Sequence, residues 1–368
     1  MGNPPDKAAT GTKRHTSYSL ATPDLLDKLL RIGAPSGYEA PAAEIWREAA
    51  GFADLSSDGL GSSIARVGDA APLFAVVGHI DEIGLIVTHI DEKGFLWFAP
   101  IGGWDPQILV GQRVEIRGKG ERLVPGVVGR KPIHLLEADQ RKKVVELKGM
   151  HIDIGAEDRD EAAELIRVGD PVVIAAEPVP VAGERLVSKS MDNRLGAYVA
   201  LESLRRCVDG DGPGGSFAAV AAVQEEIGLF GARTAAFEVR PDLAVAVDVT
   251  HATDAPGVDE KELGSSPLGS GPVIGRGSTL SPKVFELLVE TAEAEGIEHS
   301  ISASGRGTST DADVLQISRS GIPTGLVSIP LRYMHSPVEM VDLRDVEATV
   351  NLLAAFGSRL SADTDLSR

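Results

Sequence analysis

The apolar pattern of the chain opens with a helix signal. Leu25, Leu26, Leu29 and Leu30 share one face of a 3.6-residue period, behind Thr22-Pro23-Asp24, a cap residue followed by a proline suited to the first turn. Gly33 and Pro35-Ser36-Gly37 stop this helix, and the pattern predicts a second one over residues 40–50. Leu73, Phe74, Ala75, Val76 and Val77 then form an unbroken apolar run closed by Gly78. A strand covered on both faces reads this way.

After Val87 the texture changes. Short β-like stretches at residues 95–98, 113–117, 126–128 and 171–175 are punctuated by glycine, and helical periodicity is confined to residues 160–167. From Val187 helix and strand alternate again. Residues 192–206 bring Leu195, Tyr198, Leu201 and Leu204 to near-helical spacing, and residues 217–223 and 243–247 read as buried strands. An amphipathic helix over residues 283–295, a strand over 325–329 and a closing helix over 346–360 complete the pattern. The class expected is α/β, a mostly parallel sheet flanked by helices, with a small β-rich domain inserted. The boundaries expected are a flexible tail at residues 1–17, an α/β domain at 18–87 and 181–368, and the insertion at 88–180.

A length of 368 residues suits two domains, and 43% hydrophobic with 24% charged residues suits a globular chain. Lys and Arg number 36 against 54 Asp and Glu, a net charge of −18 that would repel the phosphates of nucleic acid or an anionic membrane. The single cysteine, Cys207, excludes an intrachain disulfide and a cysteine zinc cluster, and its apolar surroundings suit a core residue. Apolar runs such as residues 217–223 are too short to span a bilayer, and residues 1–17 lack the apolar stretch of a secretory signal. A reducing compartment, most simply the cytoplasm, is expected.

Four strand ends carry groups that bind cations. The first runs into His79-Ile80-Asp81-Glu82, the second into Gln224-Glu225-Glu226, the third ends at Asp248, and the fourth leads to Tyr333-Met334-His335-Ser336. In α/β sheets ligands collect at the carboxyl ends of strands. Each feature alone has a plain reading: a turn histidine, a solvated acid pair, or, for Asp192, a helix cap. Glu225 and Glu226, however, lie between apolar stretches, and burying a carboxylate without a counter-charge costs several kcal/mol. Divalent cations remove that objection. In His79-x-Asp81 a nitrogen ligand is followed two residues later by an acid able to fix the imidazole tautomer.

Taken together, these segments resemble the tetrahedral aminopeptidase family, the glutamyl aminopeptidase and endoglucanase-like group of dinuclear metallopeptidases. The resemblance is carried, in family order, by Gly78-His-Ile-Asp-Glu-Ile-Gly84, Ile101-Gly-Gly-Trp-Asp-Pro-Gln107, Ser188-Lys-Ser-Met-Asp-Asn-Arg194, Gln224-Glu-Glu-Ile-Gly228, Val247-Asp-Val-Thr250 and Arg332-Tyr-Met-His335. It implies a zinc-exopeptidase-like fold and two divalent ions per subunit, zinc or cobalt or else manganese. Asp192 would bridge the ions, through a residue whose peptide bond to Asn193 is cis; His79 and Asp248 would complete one ion, Glu226 and His335 the other. Glu225 would be the general base and Asp81 would orient His79. The reaction implied is removal of N-terminal residues from peptides, with a metal-bridging hydroxide as nucleophile. The insertion would be a dimerisation domain, and the subunits would form a hollow dodecamer built from dimers.

Other residues have weaker claims. His89, His134, His151, His251 and His299 fall outside the metal pattern. Gly305-Arg-Gly-Thr-Ser-Thr-Asp-Ala312 resembles the family's loop near the substrate, and it lacks the Lys-Ser/Thr of a P-loop. Arg276 and Arg306 are candidates for recognising an acidic first side chain, or for ordinary surface ion pairs. Two other functions stay open from the sequence: a metal hydrolase acting on an acylated small molecule or a glycan, and a non-catalytic assembly protein. A glycosidase needs two carboxyl groups free of metal, which Glu225-Glu226 does not supply if Glu226 is a ligand.

Overall fold

The computed structural model describes residues 22–367, so the tail expected at residues 1–17 lies outside the described residues. An eight-stranded sheet runs in the order Asp54–Ser57, Ser63–Val67, Ser216–Ala222, Leu73–His79, Leu243–His251, Thr324–Leu331, Val273–Gly277 and Ser300–Ser304. Its four middle strands are parallel. Antiparallel neighbours, Ser63–Val67 and Val273–Gly277, border them on either side.

The continuous apolar runs are explained by the two covered faces. Successive strand residues point to opposite sides. Phe74, Val76, Phe217, Ala219, Val245 and Val247 join one core with Leu195, Leu201 and Leu353 from the helices Met191–Asp209 and Leu343–Arg359. Ala75, Val77, Ala218, Val220, Ala244 and Ala246 join the other, against Ala232, Ala235 and Ala236 of the helix Phe230–Val239. Large side chains thus fill one face and small ones the other. Phe74 anchors the first face, with ring centroids 4.7 Å from Phe217 and 5.0 Å from Phe356; such pairs add about 0.5–1.5 kcal/mol beyond area burial.

The β-rich part is a closed six-stranded barrel, Gly84–Ile90, Leu96–Ile101, Met150–Asp153, Leu123–Arg130, Arg113–Arg117 and Pro171–Ile174 in order. Leu85, Leu96, Ile116, Ile152 and Val172 belong to a core of its own. Closure leaves no unpaired strand edge. A small antiparallel sheet of Val179–Pro180, Arg185–Ser188 and Glu339–Asp342 follows the barrel. Among the described residues no helix is long and apolar enough to cross a membrane.

Several details differ from the sequence expectation. Pro23, not Thr22, occupies the cap position of the first helix, Asp24–Arg31, and no side chain caps it. The third strand does not end at Asp248; it continues to His251 because pairing with Thr324–Leu331 persists to His251 and Leu331. The strands Asp54–Ser57 and Ser300–Ser304 carry no apolar run, since both lie at sheet edges where side chains meet solvent. Cys207 is buried as expected, 3.2 Å from the Ser358 hydroxyl.

The helix Met191–Asp209 lies directly against the strand Leu73–His79. A Cβ on Gly78 would stand 2.2 Å from the Gly196 carbonyl carbon, and one on Gly196 would stand 2.6 Å from the Val247 carbonyl oxygen. Asn193 pins the same contact, donating from Nδ2 to the Val247 carbonyl at 2.8 Å and accepting the Gly196 amide at 2.8 Å. Backbone atoms on both sides leave nothing flexible to yield. Gly78→Ala should therefore destabilise the protein by about 3 kcal/mol or more, the upper end for overpacking, seen as a lowered thermal unfolding midpoint. A midpoint equal to that of the unmodified chain would show that the contact can relax.

Candidate active site

Three parallel strands deliver their chemistry at one level of the sheet. His79 pairs in register with Ala222, and Asp248 lies two residues beyond Ala246, the partner of Val77, which places it beside His79. Past Ala222 the chain turns through Gln224, whose φ of 57° is left-handed, and presents Glu225 and Glu226. Past Leu331 it turns through Tyr333 and His335, with φ of 61° and 58°. Asp192 enters from the opening of the helix Met191–Asp209, where Asp192 and Asn193 are non-helical and joined by a cis peptide bond.

The side chains converge on Asp192. One of its oxygens, Oδ1, is 3.2 Å from His79 Nε2, and the other, Oδ2, is 3.2 Å from His335 Nε2. His335 Nε2 is also 3.4 Å from Glu226 Oε1, and His79 Nε2 is 3.6 Å from Glu225 Oε2. Ligand atoms of His79, Asp192 and Glu226 lie within 4.8 Å of one another, as do those of His79, Glu225 and Asp248. Asp192 is therefore not occupied in capping its helix.

Both imidazoles are oriented from behind. His335 donates from Nδ1 to the Gly103 carbonyl at 2.9 Å, so that in the neutral ring the Nε2 lone pair faces the acids. His79 turns its Nδ1 toward Asp81 Oδ1 at 3.3 Å, close but not aligned as a full hydrogen bond. Asp81 is itself immobilised: it accepts from the Ser36 hydroxyl at 2.6 Å and from the amides of Glu225 and Glu226 at 3.1 and 3.2 Å. One buried carboxylate thus sets the positions of His79 and of both glutamates.

The cluster carries an excess of buried negative charge. Glu225 is pushed up to about 10 by burial, against the pull of His79 and with the help of charges on Asp248, Asp311 and Glu226. Burial raises Glu226 and Asp248 as well, and the charge of Asp192 adds to both. His335 is raised to about 11 by its contacts with Asp192 and Glu226. His79 is raised too, because burial is outweighed by Glu225, Asp192 and Asp81. Asp192 falls below its ordinary value, burial being outweighed by the two imidazoles, and Asp81 does so too, burial there being outweighed by His79 and the Ser36 hydroxyl. Among the described residues no lysine or arginine pairs with these acids; the two histidines face Asp192, Glu225 and Glu226, and Asp248 accepts the Val249 amide. Glu226 Oε1 and both oxygens of the buried Asp311 have no hydrogen-bond donor. Such a set of acceptors and imidazoles fits divalent cations, whose charge would reverse every one of these penalties.

A second network behind the site sets two cations against one buried acid. Glu82 receives Lys189 Nζ at 2.8 Å, Arg194 Nη2 at 3.0 Å and the Ser190 hydroxyl. Arg194, fully buried, also donates to the carbonyls of Ile80 at 2.6 Å, Ile32 at 3.0 Å, Ala34 at 3.3 Å and Leu29. It ties the first helix and the His79 segment to the helix that begins at Asp192. The sequence reading assigned no role to Glu82, Lys189 or Arg194, nor to Ser36, Asp311 or Glu339. The available signal was two cations, Lys189 and Arg194, flanking Asp192 ahead of an apolar helix.

The cluster opens into a cleft of about 310 Å³ whose other walls include Thr250, His251, Thr308, Ser309, Thr310 and Met334. The loop of residues 305–312 therefore does border the cleft. His251, set aside in the sequence reading, lies on its wall because its strand outlasts Asp248. Neither Arg276 nor Arg306 lines it: Arg276 lies over the Phe285 ring at 5.2 Å in a different groove, and Arg306 is exposed. His151 packs edge-on to Phe95 in the barrel, and His299 contacts the Ile297 carbonyl. His89 and His134 do not line the cleft either.

The model of the M42 glutamyl aminopeptidase family matches residues 61–352. A lysyl aminopeptidase of Pyrococcus furiosus is 36% identical over 341 residues, covering 90% of this chain and 96% of the relative. Among solved structures, a TET aminopeptidase from a marine sediment thaumarchaeote is 35% identical with a TM-score of 0.87, covering 92% of this chain and 97% of that one. A TET1 peptidase of Pyrococcus horikoshii, described as assembling into a tetrahedron or a large octahedral shell, is 33% identical with a TM-score of 0.81 over 91% of this chain and 99% of that one. With the sheet, the barrel and the cleft in place beneath these matches, the chain belongs to the M42 glutamyl aminopeptidase family and is a hydrolase acting on peptide bonds.

Proposed function

We propose that the chain removes N-terminal residues from peptides at a centre of two divalent ions. His79 and Asp248 would hold one ion, Glu226 and His335 the other, and Asp192 both. The observation that carries this reading is the placement of Asp192, whose two oxygens face different imidazoles at the same 3.2 Å. Bound there, the ions would polarise the scissile carbonyl and bring the pKa of water toward neutrality. Zinc, cobalt and manganese all suit mixed imidazole and carboxylate donors without thiolate.

The remaining chemistry belongs to the chain. Glu225 is the general base: it sits in the cluster beside His79, and its buried carboxyl can take a proton from the attacking water and deliver it to the departing amine. Asp81 orients His79. Thr308, Thr310 and Met334 form the wall against which the substrate's first residues lie.

Residues 88–180 serve as the dimerisation domain, and dimers build a hollow dodecamer. Supporting this are the apolar side chains that the barrel region leaves exposed, with Ile133, Leu135 and Val144 at 55%, 64% and 65%. The P. horikoshii relative, which can assemble into a tetrahedron or a large octahedral shell, is in keeping with it.

Glu225→Gln should retain both ions while turnover of an aminoacyl-p-nitroanilide falls on the order of 10²–10⁴-fold. Turnover like that of the unmodified chain would remove Glu225 as the base. His79→Ala and His335→Ala should each lower the bound metal per chain, read by elemental analysis alongside rate; unchanged stoichiometry would refute their assignment as ligands. Mass photometry of the metal-loaded protein should give a dodecamer, and Leu135→Asp combined with Val144→Asp should shift it to smaller species. A monomer in the unmodified protein would overturn the assembly.

A further inference from the structure

His335 sits in a hairpin loop closed by Arg332 and Met340, whose backbones exchange both hydrogen bonds at 3.0 Å. Glu339 is next to that closure. It opens the strand Glu339–Asp342, which pairs in register with Arg185–Ser188, Glu339 standing opposite Ser188, four residues before Asp192. Its side chain is only 2% exposed. Oε1 accepts the amide of His335 at 2.8 Å, and Oε2 accepts the amide of Asp192 at 3.2 Å.

We propose that Glu339 is a positioning residue, a two-ended clamp that holds the segments carrying Asp192 and His335 at the separation a shared metal ion requires. The inference rests on the two-ion reading above. Two N–H groups on separate stretches of chain need two acceptor atoms, and a carboxylate offers two with no donor. A glutamine would turn its NH₂ against one of those amides, losing one bond and adding donor–donor repulsion. An aspartate is one methylene short of the span. Charge supports a purpose beyond loop closure. Among the described residues no lysine or arginine pairs with Glu339, although Lys189 borders the same cavity of about 20 Å³ and is bound to Glu82. A fold that needed only to close the hairpin gains nothing from an unpaired buried charge. Beside Asp192 and His335, that charge would be offset by the cations those residues hold.

The test is titration of the metal-free full-length protein with Co²⁺ alone, following calorimetry and the visible absorption of the bound ion, for the unmodified chain and for Glu339→Gln. Loss of an outer support typically costs a metal site on the order of 10–100-fold, and that loss is expected in one of the two binding steps of Glu339→Gln. The assembly and thermal midpoint of the metal-free variant should be unchanged, and excess Co²⁺ should restore part of the lost kcat with little change in KM. Equal Co²⁺ affinity in both proteins overturns the clamp and leaves the two-ion reading standing. A metal-free variant that melts early or fails to assemble makes Glu339 a fold residue and also overturns it. An unmodified chain that takes up no Co²⁺ defeats the two-ion reading, and the clamp falls with it.

Discussion

The constraint on which this structure turns is buried charge of one sign. Asp81, Asp192, Glu225, Glu226, Asp248 and Asp311 share a space with two imidazoles, and among the described residues no lysine or arginine pairs with them. A protein interior tolerates that only when cations complete it, since each uncompensated carboxylate costs several kcal/mol. The strand order, the turns at Gln224 and His335 and the non-helical opening of the Asp192 helix all serve to bring those acids together. The same acids raise both histidines, which relieve Asp192 in return, while burial keeps Glu225, Glu226, Asp248 and Asp311 raised.

The contrast with the neighbouring ion network is instructive. Glu82, Lys189 and Arg194 are just as buried, but each meets an opposite charge, and the remaining donors of Arg194 meet backbone carbonyls. Removing one partner there would strand a charge in the core, which is the costly event for buried pairs. The matched network holds the framework, and the unmatched cluster is left for ligands. Glu339 stands between the two classes: its oxygens are satisfied by amides, yet its charge is not met by a side-chain cation.

Close packing links the framework to the chemistry. Gly78 and Gly196 let the helix carrying Asp192 sit on the strand carrying His79 at backbone distance, and Asn193 fastens the helix to the strand carrying Asp248. Side chains of ordinary size at either glycine would lift Asp192 away from both imidazoles. The barrel contributes the Gly103 carbonyl just beyond the strand Leu96–Ile101, which sets the ring of His335.

The sequence by itself determined the α/β class, the positions of the central strands, the presence of a β-rich insertion and the polar residues at the strand ends, while Asp192, at a helix opening, was singled out by the family resemblance. It did so because strands covered on both faces must be apolar at every position, as in residues 73–77, 217–223 and 243–247, and because polar residues at the ends of such runs stand out. Edge strands such as Asp54–Ser57 were illegible, since one exposed side removes the need for any apolar pattern. Only the tertiary structure decided that Arg276 lies away from the cleft, that His251 reaches it, and that Ser36, Asp311 and Glu339 belong to the site's surroundings. Their contributions are a hydroxyl donated to Asp81, two backbone amides accepted by Glu339, and the charge of Asp311 felt across space. Such interactions have no spacing along the chain, and they come into being only when the sheet brings those segments together.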